Sequence, residues 1–194
     1  MIDLKIQEKL LENNTICLFG EIDQEKSSQI VKQLLSLHLK FKKECDLSPT
    51  VILLINSPGG VVTGGMAIYD ALLALNCKIV TVCLGQASSM AATLLSGGTK
   101  GFRYVLPNSE VMIHQPLGGM SGQVSDMEIH CKHTLNIKHR LNEILAKNTN
   151  QTISKIQFDT ERDYFLTSSE AVEYGIVDKI ISDFQEVYNE LSIK

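Results

Sequence analysis

Val51-Ile52-Leu53-Leu54-Ile55-Asn56-Ser57-Pro58-Gly59-Gly60 carries five consecutive apolar residues straight into a proline and two glycines. A strand with one wet face alternates, so a run without alternation reads as a strand buried on both sides. The Pro-Gly-Gly turn ends it, and a helix-like stretch follows over about 64–75. The pattern then repeats: Ile79-Val80-Thr81-Val82-Cys83-Leu84 is a second such run, followed by Gly85 and a short alanine-rich helix that Gly97-Gly98 can stop. Strand, helix, strand, helix with doubly buried strands predicts an α/β fold of parallel strands joined by helical crossovers.

Outward from this centre the chain becomes more helical. Upstream, Ile30, Val31, Leu34, Leu35 and Leu37 recur at helical spacing over 24–40 behind Asp23, a candidate N-cap. Downstream, Phe102–Leu106 and Val111–Ile113 read as short strands joined by the turn Pro107-Asn108-Ser109. Gly118-Gly119 and Gly122 loosen the chain before a long polar-faced helix over about 123–147. Thr167-Ser168-Ser169-Glu170 has capping-box spacing, so a helix is expected there, ending at Gly175 and leading into a strand over Ile176–Ile181. Eleven of the 13 glycines lie between 59 and 122, which concentrates turn chemistry in the middle and leaves no linker to divide the chain. At 194 residues, a single domain over 1–194 is expected.

Eighteen Lys and Arg against 22 Asp and Glu give a net charge of -4 with no block of like charges, which argues against a polyanion binder. Leu47–Tyr69 and Ile79–Thr99 lack charge and have bilayer-spanning length, but serines, amides and glycines interrupt both, and lipid could not satisfy those polar groups. The N-terminal Met1-Ile2-Asp3-Leu4-Lys5 opens no signal-like apolar run, so an intracellular protein is expected. Cys17, Cys45, Cys77, Cys83 and Cys131 form an odd, scattered set without C-x-x-C, expected as free thiols.

Ser88 and Ser89 follow the second buried run and open a short helix, where unpaired backbone N–H groups and the helix dipole favour developing negative charge. Small neighbours, Ala87, Ala91 and Ala92, admit a substrate backbone; capping the helix would explain either serine equally well. His114 ends an apolar strand at a loop, unlike His38, His130, His133 and His139, which sit in charged helical stretches. His130 and His133 stand one turn apart without Cys or carboxylate partners in a ligand pattern, so no metal is expected. Asp163 alone reads as a surface charge. Gly59-Gly60 could aim backbone N–H groups into a crevice, as an oxyanion hole requires, or could simply make a tight turn. No G-x-x-x-x-G-K-[ST] occurs, so nothing marks nucleotide hydrolysis.

Taken together, I-N-S-P-G-G (55–60), G-G-M-A-I-Y-D (64–70), G-Q-A-S-S-M-A-A (85–92), P-N-S-E-V-M-I-H-Q-P-L-G-G (107–119) and D-T-E-R-D-Y-F-L-T-S-S-E-A-V-E-Y-G-I-V-D (159–178) closely resemble the ClpP family. This is the serine peptidase core of ATP-dependent proteolytic machines, and its fold is related to crotonase. The resemblance runs from about Leu10 to Ile181. It implies Ser89, the serine before Met, as nucleophile, His114 as general base and Asp163 as the orienting acid, with the N–H groups of Gly60 and Met90 as oxyanion hole. It further implies that the segment around Leu117, Gly118 and Gly119 pairs with an extended substrate, inside a handle region over 115–148 made of a strand and the long helix. The same resemblance implies stacked seven-membered rings, a tetradecamer enclosing the sites, with no cofactor. A AAA+ unfoldase of ClpX, ClpC or ClpA type would feed unfolded proteins into it, in a bacterial cytoplasm or an organelle of bacterial descent. Arg162 would link ring contact to order at the site.

Two departures stand out. The axial stretch that family members carry ahead of the helix matching Leu4–Leu11 is nearly absent, and a short extra segment lies around Lys40–Ser48. Altered unfoldase activation, or a mixed ring with a paralogous ClpP subunit, is therefore expected. Two rival readings differ at identifiable residues. An acyl-CoA enzyme of crotonase fold would share the Gly-Gly turn but lack a Ser-His-Asp set, and a non-catalytic ring subunit would have lost part of that set.

Overall fold

The computed structural model describes residues 2–44 and 49–192. In chain order the first half comprises α1 (Ile2–Glu12), β1 (Thr15–Phe19), α2 (Gln24–Glu44), β2 (Thr50–Ser57), α3 (Val62–Ala74), β3 (Lys78–Ser88) and α4 (Met90–Ser96). The second half comprises β4 (Arg103–Val105), β5 (Glu110–Ile113), α5 (Val124–Thr149), α6 (Ile153–Asp159), β6 (Tyr164–Thr167), α7 (Ser168–Tyr174), β7 (Lys179–Ile180) and α8 (Phe184–Ser192). The strands form one seven-stranded sheet with a path β1-β2-β3-β4-β7, and β5 and β6 branch from β3. Every pair is parallel except β5 with β6. The mixed α/β architecture agrees with the fold class read from the sequence.

Alternation along the central strands sorts side chains onto two faces. Val51, Leu53, Ile55, Ile79 and Cys83 join Ile16 and Leu18 in the main core, against Ile30, Leu34 and Leu37 of α2, Ile68 and Leu72 of α3, and Leu94 and Leu95 of α4. Ile52, Val80, Val82 and Tyr104 point the other way into a smaller cluster. The unalternated run is thus one strand serving two cores. Leu53 has no exposed surface, and truncating such a side chain to alanine costs about 2–5 kcal/mol.

Local chemistry sets the helix ends. Asp23 Oδ1 accepts the Lys26 N–H at 2.7 Å, the capping expected of it, and α2 runs on to Glu44, beyond the expected residue 40. Of the extra segment around Lys40–Ser48, residues 40–44 continue α2 and 45–48 lie outside the described residues. Thr167 and Glu170 close a reciprocal capping box on α7, and Gly175 ends that helix at φ 89°.

Two strands differ from expectation. β3 does not stop at Gly85: the register with β2 shifts between Ile55 and Ser57, Gly85 takes φ 82°, and the strand continues to Ser88. A strand that bends and resumes offers two edges in succession. β4 therefore pairs with Thr81–Cys83 and β5 with Gln86–Ser88, so the two short strands lie end to end along β3. The last strand covers only Lys179–Ile180 of the expected 176–181.

Candidate active site

The sheet converges three loops on one point. β3 and β5 run parallel and paired at Gln86–Ser88 and Glu110–Met112, so their C-terminal ends deliver Ser89 and His114 to the same edge. β6 returns antiparallel on β5 with Tyr164 opposite Ile113, which sets Asp163 beside His114. The result is a continuous chain: Ser89 Oγ lies 2.9 Å from His114 Nε2, and His114 Nδ1 lies 2.8 Å from Asp163 Oδ1. With the ring proton on Nδ1 and donated to Asp163, Nε2 is left to accept the serine hydroxyl. The His114 side chain is 13% exposed and that of Asp163 58%.

Ser89 occupies the N-cap position of α4, yet its side chain makes no capping bond. The capping explanation therefore does not account for its hydroxyl. Its backbone sits at φ 58°, ψ −123°, a region a Cβ-bearing residue rarely occupies. Neighbours hold it there: the Ser89 N–H donates to Met112 O at 2.8 Å, and Ser89 O accepts from Ala92 and Thr93.

The Pro-Gly-Gly turn packs directly on this residue. A Cβ built on Gly59 would lie 2.6 Å from Ser88 O, 2.8 Å from Ser89 Cβ and 3.0 Å from Met90 N, so only glycine fits. Ser57 Oγ accepts the Gly59 N–H at 3.1 Å and fixes the turn's entry. Ile22 brackets its exit, donating its N–H to Gly59 O and accepting the Val61 N–H. Among the described residues, neither the Gly60 N–H nor the Met90 N–H, the first of α4, has a hydrogen-bond partner. Two unspent donors beside a serine form a site suited to a developing oxyanion. A small cleft lined by Val62, Ile113, Pro116, Leu141 and Leu145 opens next to Ser89 and His114.

Leu117, Gly118 and Gly119 lie on the surface in a stretch without strand pairing inside the chain; Leu117 is 83% exposed, and both glycines face open space. Backbone donors and acceptors there remain available to an extended ligand.

Sequence reasoning passed over a second layer. Gln115 Nε2 donates to Glu161 O at 2.7 Å, Lys138 Nζ bonds Gln115 Oε1 at 2.9 Å and Glu161 Oε2 at 2.7 Å, and the Gln115 N–H donates to Thr160 O. These bonds tie the His114 loop, the Asp163 loop and α5 together. The hydrogen bond and charge of the Lys138 ammonium hold the Glu161 carboxyl below its ordinary range. The adjacency of Gln115 to His114 was the one available signal; Lys138 gave none.

Cys17, Cys77, Cys83 and Cys131 are unbonded, and Cys45 lies outside the described residues. Burial pushes the Cys77 thiol up to about 11 and the Cys83 thiol to about 12, the latter partly offset by Ser109, so neither supplies a thiolate at neutral pH. Among the described residues no three His, Cys, Asp or Glu gather as a metal site, and no helix is long and apolar enough to cross a membrane.

The sequence model of the Clp protease family matches residues 2–184. This chain belongs to the Clp protease family, and its class is that of the ClpP-type serine peptidases.

Proposed function

We propose that this protein is a serine endopeptidase that cuts unfolded polypeptides, with Ser89 as nucleophile. One observation carries the reading: the hydrogen-bonded chain from Ser89 Oγ through His114 to Asp163 Oδ1. His114 Nε2 takes the hydroxyl proton as Ser89 Oγ attacks a peptide carbonyl, and Asp163 holds the ring in the required tautomer and stabilises the imidazolium. The N–H groups of Gly60 and Met90 receive the oxyanion. His114 then gives its proton to the leaving amine, and water, activated by the same ring, releases the acyl group. An extended substrate pairs by its main chain with the backbone at Leu117–Gly119, which favours broad sequence tolerance, while a side chain enters the cleft beside Leu141 and Leu145.

Family membership supports ring assembly in general terms. In this reading the rings stack through residues 115–148, and because the chain has no phosphate-binding loop, a AAA+ unfoldase supplies the work of unfolding. The test is cleavage of a fluorogenic peptide by the assembled protein and by its Ser89→Ala form. The variant is expected to lose roughly four orders of magnitude or more in kcat. A variant as fast as the parent would defeat the assignment.

A further inference from the structure

The two faces of the sheet are covered very differently. The face carrying Leu53, Ile55 and Cys83 packs against α2, α3 and α4. The opposite face gathers Ile52, Val80, Val82, Phe102, Tyr104 and Ile181, with Leu54 and Leu106 at its border, and the helical side chains in that cluster all come from α8: Val187 and Leu191. Without α8 these residues would form a contiguous apolar patch, the kind of surface that marks an interaction site.

The cover is lightly held. α8 has nine residues, too few to stay helical in water on its own. It docks through two aliphatic side chains one turn apart and a set of carboxylates. Glu190 Oε2 accepts from Tyr104 Oη at 2.5 Å, and Lys179 Nζ lies 3.0 Å from Glu190 Oε1 and 3.1 Å from Glu186 Oε2. The Lys179 side chain is 47% exposed, so salt weakens its ion pairs. The family match ends at residue 184, where α8 begins: the sheet face belongs to the matched fold, and its cover lies almost wholly outside.

We propose that α8 is a built-in competitor for the face it covers. When it swings away, the face of Ile52, Val80, Val82 and Tyr104 binds a segment of a partner protein with the chemistry of α8: two aliphatic side chains one turn apart, with carboxylates placed for Lys179 and Tyr104. Displacement and binding are then one exchange, and ionic strength shifts its balance through Lys179. The proposal is independent of the peptidase reading, because Ser89 opens α4 on the other face.

The probe is a fluorescein-labelled peptide of residues 183–192, titrated by anisotropy into the assembled full-length protein, into its Val187→Ser/Leu191→Ser form, and into a chain ending after Ser182. Both opened forms are expected to bind about tenfold tighter or more than the parent, the factor by which a cover closed roughly nine-tenths of the time lowers apparent affinity. Replacing the peptide's two glutamates by glutamine should weaken binding several-fold, and both opened forms should keep cooperative melting and fluorophosphonate labelling of Ser89. Equal affinity for all three proteins, or no binding to either opened form, would overturn the proposal. So would loss of cooperative melting in the shortened chain, which would make α8 part of the core. A doubled native mass of that chain would assign the face to a second copy and likewise overturn it.

Discussion

Ser89 holds its hydroxyl toward His114 from a backbone conformation, φ 58° and ψ −123°, of a kind that costs about 1–3 kcal/mol and persists only where surrounding structure imposes it. The hydrogen bonds to Met112, Ala92 and Thr93 impose it, and Gly59 is pressed against the same turn. Gly59 is therefore expected to tolerate no side chain. It sits at φ 89°, and a methyl group would meet Ser88 O and Ser89 Cβ. Gly59→Ala should lower both kcat/KM and the melting temperature, readable in one peptide assay and one thermal scan; a variant with parental activity would show that the turn does not set the position of Ser89. His114→Ala and Asp163→Asn leave this backbone untouched. Each should reduce kcat by about 10³–10⁴ with little change in KM, because each removes a proton-handling step rather than substrate contacts.

At the level of secondary-structure elements, the Arg103–Asp178 pair joins β4 to the turn after α7. Arg103 is buried; its guanidinium lies 2.5 Å from Asp178 Oδ1 and also donates to Asn148 O and Gly175 O. Burial alone would raise the Asp178 carboxyl, but the hydrogen bonds and charge of Arg103 outweigh it and hold the carboxyl below its ordinary range. A depressed carboxylate contributes stability that is complete above its unfolded value, about 4, and is lost as pH falls through the lower folded value. Asp178→Asn should cost about 3 kcal/mol at neutral pH, since it strands a buried guanidinium, and should flatten the acid limb of a pH–stability curve measured by denaturant unfolding. An unchanged acid limb would remove Asp178 from that role. Thr167→Ala opens the α7 capping box and should cost about 1 kcal/mol in the same measurement.

Elements of this kind were legible in the sequence where the signal was local. The apolar runs of β2 and β3, the Asp23 cap and the Thr167–Glu170 box depend on neighbours within a few residues, and they stand in the structure. The bend at Gly85, the end-to-end placement of β4 and β5 and the tie from Lys138 to Gln115 and Glu161 depend on partners 23 or more residues away. No periodicity encodes such contacts. Ser89, His114 and Asp163 were individually ambiguous for the same reason; only the family resemblance singled them out, because a hydrogen bond between residues 49 apart leaves no mark on either local pattern.

At the scale of the whole molecule, α5 is two helices in function. Its second half packs Leu141 and Leu145 into the core, whereas its first half is exposed and carries Val124 and Ile129, 72% and 66% accessible, with Leu117 nearby in sequence on the preceding loop. A stretch so apolar and so open fits contact between copies of the chain. Ile129→Glu is expected to shift the native mass toward smaller assemblies and to lower peptide cleavage with it, whereas full assembly of that variant would place the contact elsewhere.

The most direct measurement is reaction of the assembled protein with a fluorophosphonate, followed by peptide mapping of the adduct by mass spectrometry. A serine activated by His114 should carry the label on Ser89, and labelling should fall away in His114→Ala. An assembled protein left unlabelled, or one labelled on Ser88 instead, would contradict the account.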